Sequence, residues 1–377
     1  METKKYHIAQ FGTFDVESMG DSVFPKGLQF GLNKFISCDT ELFSMNECEN
    51  PYNHNGHVYS FQQFAQRHAM RPFDLVMLGG GEFLHFNAIR FTVDGVEKPY
   101  AGGYLWKEPV RMAKEHNIPV AINCVGAPHD FTALQQRELA ECLKGVDCVA
   151  VRDAFSAKRL QAAGVDDAQC VADNLWYMNQ MYPKAELDAL RYELERRTYR
   201  DFTTPYIVVQ YGTTRDVKTL ANQLRQIKKS TGYRVCLMPM NYCHEDRIGM
   251  RKLHEAGEGA FEEITNYFIP REMMAVIAGA KAFIGTSLHG NLTAASYGVP
   301  FVAIDMYPSL VSKMDGILTM IGCEEYLAPD ESAVEAALDA RLADQNRGAE
   351  IAKHIAEIQQ KLDRHFERIT QILKGER

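Results

Sequence analysis

Chemistry in this chain is most concentrated in the run KAFIGTSLHGNLTAASYGVPFVAID, from Lys281 to Asp305. Ala282 to Gly285 reads as a short buried strand, and Phe301 to Ile304 as the next. Between them Thr286 or Ser287 is a helix N-cap type, and Leu288 to Tyr297 has helical spacing with small residues. Gly298 suits the left-handed turn that ends a helix, and Pro300 stops it. The first amides of a helix lack partners within it and lie at the positive end of its dipole, so Ser287, Leu288 and Gly290 would face an anion. His289, in the first turn, is then placed to give a proton to a bound phosphate compound. A packed histidine on a capped helix has the same spacing, so the motif alone leaves both readings open.

Other candidates fall where strands end. Tyr6 to Phe11 is a strand followed by Gly12 and then Gly20-Asp21. Leu75 to Leu78 runs into Gly79-Gly80-Gly81 and Glu82, and Val149 to Val151 into Arg152-Asp153. The triple glycine lets backbone approach a ligand or makes a tight turn. Arg152 has the planar fork that clamps a carboxylate or phosphate, or it pairs with Asp153. His244, Glu245 and Asp246 are the most plausible metal-ligand run, but a solvated loop explains them better, and no metal is expected.

The elements that must position these residues alternate strand and helix throughout. A first series adds Val120 to Cys124, a helix from Ala154 to Ala163 and a strand from Gln169 to Ala172. A second begins at Tyr206 to Gln210 and continues through Arg234 to Met238 to the Lys281–Asp305 run. Such alternation predicts parallel sheets covered by helices. The fold class is therefore α/β with two Rossmann-like domains, and ligands are expected at the carboxyl ends of the strands, in a cleft between domains. The domains are placed at residues 1–183 and 204–345, with a charged linking helix at 184–203. Residues 346–377 hold one amphipathic helix, with Ile351, Ile355, Ile358, Leu362, Phe366, Ile369 and Leu373 on a single stripe that packs on the domains. No internal repeat or low-complexity segment is apparent.

Composition narrows the class. The 377 residues are 46% apolar, enough for two cores, and the net charge is −8 with no dense basic stretch. Nucleic-acid binding is therefore not expected. The N-terminus lacks the long apolar core of a signal peptide, and no run approaches a membrane span. Nine cysteines without a C-x-x-C pair fit reduced thiols, so a cytoplasmic protein is expected.

In order along the chain these pieces resemble the polysaccharide pyruvyltransferases. FGTFDVESMGDSVF (Phe11 to Phe24) is similar to the family's glycine loop ending in Gly-Asp, and DLVMLGGGEF (Asp74 to Phe83) to its strand with three glycines. VRDAFSAKRLQAAGV (Val151 to Val165) is similar to its Arg-Asp block, and GTSLHGNLTAASYGVPFVAID to its Leu-His-Gly helix. The resemblance implies a GT-B-like arrangement with an acceptor side in the first domain and a donor anion site in the second. It implies transfer of a pyruvyl group from phosphoenolpyruvate to sugar hydroxyls, usually closing a cyclic ketal, with phosphoenolpyruvate as donor substrate and no cofactor. His289 and Arg152 carry over from its motifs, and Asp21 from the Gly-Asp pair.

The donor carries a phosphate and a carboxylate, so cations and amide donors are needed, and its methylene must be protonated for C2 to become electrophilic. His289 is the best-placed acid, and a bound phosphate dianion would favour its charged form. Asp21 or Glu82 would take the proton of the attacking hydroxyl. Many members have arginine two positions before the motif histidine, where this chain has Ser287. Arg271 or Arg215 would then supply the missing cation. The acceptor would sit on a lipid carrier, a nucleotide or a finished polymer, and a lipid carrier would bring the protein transiently to the membrane face. Two alternatives remain: a glycosyltransferase using a nucleotide sugar on the same frame, and a sugar- or phosphate-binding protein without catalysis. Neither the acceptor nor the oligomeric state is written in the sequence.

Overall fold

The computed structural model describes residues 4–376 apart from 50, 51, 53–55, 94, 95, 213–215, 245, 306–312 and 345. Arg215 and Glu245 thus lie outside the described residues. The chain divides into two compact units, residues 1–177 with 358–377, and residues 178–357.

The strands of the first unit are β1 (Lys5–Phe11), β2 (Ser37–Ser44), β3 (Cys48–Glu49), β4 (His57–Ser60), β5 (Leu75–Gly79), β6 (Ala88–Val93), β7 (Val96–Ala101), β8 (Val120–Val125), β9 (Cys148–Val151) and β10 (Gln169–Cys170). β6 and β7 form an antiparallel hairpin of their own. The rest join one sheet in the order β10-β9-β8-β5-β1-β2-β4-β3, parallel except where β3 meets β4. β5 and β8 are buried at every position, as central parallel strands covered on both faces must be. From β1 the chain first builds outward through β2 and β4, then returns to lay β5 on the other side. The strand order therefore reverses between β1 and β5.

The second unit has β11 (Tyr206–Gln210), β12 (Arg234–Leu237), β13 (Glu262–Glu263), β14 (Ala282–Gly285), β15 (Phe301–Ile304) and β16 (Leu327–Ala328). They are wholly parallel in the order β13-β12-β11-β14-β15-β16. Numbered within the unit this is 3-2-1-4-5-6, the doubly wound Rossmann order, with its reversal between β11 and β14. Ile207, Val209, Val235, Leu237, Ile284 and Val302 supply the strand side of one core, and Leu220, Leu224 and Leu253 the helix side.

The charged helix spans Lys184–Thr198 and falls inside the second unit. The terminal helix spans Arg347–Lys374, and from Ile358 onward it counts with the first unit. There Phe366 occupies the space a side chain at Gly31 would need, so the helix lies close on Met19–Asn33.

Candidate functional site

Ligands of doubly wound sheets bind beyond the carboxyl ends of the strands where the order reverses. The sequence candidates collect at both such places.

In the second unit, β14 ends at Gly285 and the helix Leu288–Ser296 follows at once. Ser287 is its N-cap, with extended backbone and a side-chain oxygen that accepts from the Gly290 amide at 3.3 Å. The turn is tied across to β11 by Gln210. Its Oε1 accepts from the Ser287 amide at 2.8 Å, the Thr286 amide at 3.1 Å and the Thr286 hydroxyl at 3.2 Å. From inside, Asn291 donates to the carbonyls of Gly285 and Ser287 at 3.0 and 2.8 Å. Gly290 is a steric requirement, since a Cβ there would lie 2.4 Å from the Phe283 ring and 2.8 Å from the Met240 sulfur. Leu288 is buried and His289 half-buried, both in the first turn of a helix fixed at its start.

Behind Gln210 stands Asp246, which opens the helix Asp246–Ala256. Its Oδ2 accepts from the Met240 and Asn241 amides at 3.0 Å each and from Gln210 Nε2 at 3.1 Å. Burial pushes the Asp246 pKa up, and these donors limit the rise. Arg271 donates to Glu186 at 2.8 Å, and among the described residues it makes no other hydrogen bond or ion pair.

In the first unit, the Thr13 hydroxyl beyond β1 donates to Asp21 Oδ1 at 2.5 Å. After β5 the backbone turns through Gly80 and Gly81 at φ +97° and +75°, the left-handed region that favours glycine. A Cβ on Gly80 would lie 2.2 Å from Phe24, and one on Gly81 3.3 Å from Asp21 Oδ1. Gly79 is equally close, with a Cβ position 2.6 Å from the Asn123 carbonyl. Glu82 bridges to Gly126, whose carbonyl accepts from the Phe83 and Leu84 amides. The register of β8 on β9 shifts between Ile122 and Val125, with Cys124 at φ +57°, and beyond this bulge Gly126 pairs with the segment Gly81 to Leu84 that follows β5. Arg152 lies across Gly126, where a Cβ would come within 2.8 Å of its guanidinium.

Arg152 is buried and doubly paired. Nη2 donates to Glu82 Oε1 at 3.2 Å, and Nε lies 3.6 Å from Asp153 Oδ2. Burial works against its charge, but the carboxylates of Glu82, Asp153 and Asp173 outweigh this, and its pKa is raised. Asp153 also caps the helix Ala154–Ala162 by accepting from the Ser156 amide at 2.7 Å. The pairing with Asp153 weighed from the sequence is therefore present and extends to Glu82.

The structure thus gathers Asp21, Gly79, Gly80, Gly81, Glu82 and Arg152 at one reversal, and Ser287, Leu288, His289 and Gly290 at the other. Sequence reasoning missed Gln210, Thr13 and Gly126, and it read Asp246 as part of a solvated loop, whereas Asp246 is buried at the start of a helix. Gln210 had a usable signal, as a polar residue closing an otherwise apolar strand. Among the described residues no group of three or more His, Cys, Asp or Glu is placed to hold a metal ion, and no helix is long and apolar enough to cross a membrane.

Two parallel sheets, each with polar groups gathered beyond its reversal, define an α/β protein of the GT-B fold class. Solved structures of that class match over nearly the whole chain. Sucrose-phosphate synthase from Thermosynechococcus elongatus gives a TM-score of 0.61 at 13% identity, covering 98% of this chain and 99% of that one. UDP-N-acetylglucosamine 2-epimerase from Rickettsia bellii gives 0.60 at 8%, covering 99% and 98%. The Neisseria meningitidis UDP-GlcNAc 2-epimerase bound to UDP-GlcNAc gives 0.56 at 8%, covering 95% and 99%. At such identities the likeness is one of fold. No curated protein matches in sequence. The family model of the polysaccharide pyruvyl transferases matches residues 8–306, a stretch holding every site residue above, and the chain belongs to that family.

Proposed function

We propose that this protein transfers a pyruvyl group from phosphoenolpyruvate to hydroxyls of a sugar in a polysaccharide or its precursor, releasing phosphate. The observation that carries this reading is the Ser287–Gly290 turn: a histidine in the first turn of a helix whose start is locked by Gln210 and Ser287. The Ser287 and Gly290 amides expected to face an anion are taken by Gln210 and by the Ser287 hydroxyl, so it is the helix dipole and the rest of the first turn that suit the donor phosphate. His289 protonates the methylene carbon, and C2 accepts the oxygen of the first hydroxyl. Asp21 or Glu82 takes that hydroxyl's proton. The C2–O bond to phosphate then breaks, and the second hydroxyl attacks C2 to close the ketal, its proton passing to the departing phosphate. Arg152, paired with Glu82 and Asp153, holds the Glu82 carboxylate in place as the candidate base. With Ser287 in place of the family's usual arginine and Arg271 engaged by Glu186, the donor phosphate relies on the helix start more than on a side-chain cation. The acceptor is a saccharide, lipid-linked or free, and the protein works in the cytoplasm.

The test is a thermal-shift titration with phosphoenolpyruvate, inorganic phosphate and UDP-sugars on wild type and His289→Ala. A ligand present at 100 times its Kd stabilises the folded state by about 2.7 kcal/mol. We expect phosphoenolpyruvate to stabilise beyond phosphate, and His289→Ala to bind it while phosphate release falls roughly 10²–10⁴-fold. Stabilisation by a UDP-sugar alone would move the protein to the glycosyltransferase reading, and near-normal turnover of His289→Ala would remove the acid.

A further inference from the structure

We propose that Asp246 is a positioning residue for the His289 helix, acting by fixing which way the Gln210 amide faces. The proposal rests on the reading of that helix start as the donor anion site.

A glutamine side chain has a donating end and an accepting end of nearly equal size, so its neighbours decide the orientation. Gln210 is buried between two demands of opposite kind. On one side the amides of Thr286 and Ser287 and the Thr286 hydroxyl converge on a single acceptor. On the other is Oδ2 of Asp246, a residue only 3% exposed, and this oxygen only accepts. Reversing the amide would place an NH2 group against two N–H groups and a carbonyl against a carboxylate, all away from water. The carboxylate therefore excludes the reversed state. Asp246 is itself immobilised, since the same oxygen accepts from the Met240 and Asn241 amides and from Asn241 Nδ2 at 3.4 Å. Gly212 closes over its other oxygen, with a Cβ position 2.8 Å from Oδ1. A continuous run of hydrogen bonds thus leads from the loop after β12, through Asp246 and Gln210, to the residue that caps the His289 helix. Thr286 adds a second tie, its hydroxyl accepting from the Gly212 amide at 3.3 Å.

The charge of Asp246 makes the proposal sharp. A carboxylate this near an anion site opposes anion binding, so electrostatics alone predicts that Asp246→Asn binds phosphate more tightly. Positioning predicts a split between two neutral variants. Asparagine can put its oxygen where Oδ2 accepts from Met240, Asn241 and Gln210, and so keeps the Gln210 orientation. Alanine removes that acceptor, the Gln210 amide is free to reverse, and the helix start is displaced.

The experiment compares wild type, Asp246→Asn and Asp246→Ala. Titration calorimetry with inorganic phosphate and with phosphoenolpyruvate is joined to backbone amide NMR of Thr286, Ser287 and His289 without ligand. In Asp246→Ala we expect those resonances to move and the Kd of both ligands to rise at least about tenfold, the factor equivalent to 1.4 kcal/mol. In Asp246→Asn, which keeps an oxygen at the shared position, the resonances should stay near those of wild type. Unmoved resonances or tighter phosphate binding in Asp246→Ala, or an Asp246→Asn no closer to wild type than Asp246→Ala, would each overturn the proposal. A merely structural role would lower the melting temperature and leave phosphate affinity unchanged. If wild type binds phosphate but not phosphoenolpyruvate, the pyruvyl-transfer reading fails while the resonances still decide the role of Asp246.

Discussion

In both units the end of the first strand and the residues just beyond it read glutamine, an aromatic residue and glycine, Gln10-Phe11-Gly12 at β1 and Gln210-Tyr211-Gly212 at β11. In the second unit Gln210 spends both ends of its side chain, one on the Thr286–Ser287 turn and one on Asp246. In the first, Gln10 is equally buried, yet neither polar atom of its side chain has a hydrogen-bond partner among the described residues. The difference traces to the strand that follows the reversal. β14 leads through Thr286 and Ser287 into a helix, which offers converging amides to an acceptor. β5 leads into Gly80 and Gly81, whose left-handed backbone folds back toward Gly126 and gathers carboxylates and a guanidinium. One reversal thus fastens a helix start to a neutral side-chain acceptor, and the other gathers charged side chains. The same topology supports both, and two or three residues after one strand decide which.

The strongest way to break this contrast is at Arg152. Removing it leaves Glu82 and Asp153 facing each other without their cation, and breaking a buried pair of this kind costs about 3–5 kcal/mol. Glu82 is 34% exposed at its side chain, so the lower end applies. Both tryptophans, Trp106 and Trp176, belong to the first unit, so their fluorescence follows that unit alone. Urea unfolding of Arg152→Ala should therefore show a loss of about 3 kcal/mol by tryptophan emission, with Arg152→Lys recovering part. An unshifted transition would mean that the first reversal does not depend on its charges.

The first unit should also carry a pH dependence of its own. His365, fully buried on the terminal helix, meets Asn123 Oδ1 at 2.8 Å. Burial, helped by the nearby Arg368 charge, pushes its pKa down from 6.5 to about 3. A base with a lowered folded pKa stays neutral in the native state while the unfolded chain takes up a proton below pH 6.5. Its stabilising effect is therefore whole above that pH and fades as pH falls toward 3, at about 1.4 kcal/mol per pH unit. Between pH 6.5 and 5 the fluorescence-detected stability should fall by about 2 kcal/mol, and His365→Gln should flatten that slope. An unchanged slope in the variant would assign the acid sensitivity elsewhere.

Much of this architecture is legible without coordinates, for a physical reason. β11, β14 and β15 have the bounds read from sequence, because buried parallel strands are short apolar runs and here Gly or Pro marks their ends. The helix after Ser287 ends at Ser296, one residue before the expected Tyr297. β2 escapes because its middle, Asp39 to Glu41, is polar, and those residues answer Lys5, Arg71 and Arg67 from distant parts of the chain. The hairpin β6–β7 escapes because Arg90, Lys98 and Pro99 hide its strand character. Among site residues, Ser287 and His289 are legible because helix capping is local. Asp246 is not, since in sequence it is the end of a His-Glu-Asp run, and its burial depends on Gln210, 36 positions earlier. Arg271 illustrates the same limit, because the partner that engages it, Glu186, is 85 positions away.

The smallest effect sharpens the second reversal. Ser287→Ala removes a cap, a change that typically costs about 1 kcal/mol. Two features hold the cost down here. The bond to the Gly290 amide is long, at 3.3 Å, and the Ser287 backbone remains tied to Gln210 at 2.8 Å whatever the side chain. The stability loss should therefore be about 0.5 kcal/mol, at the low end for a cap, in the far-UV circular dichroism transition. Tryptophan emission should not register it, because neither tryptophan is in the second unit. Combined with Gln210→Ala, the loss should exceed the sum of the two singles, since the backbone tie that compensates for the missing hydroxyl is then gone as well. Strict additivity in that cycle would mean that Gln210 and the cap act independently, and the second reversal would then be a collection of separate bonds rather than a jointly held helix start.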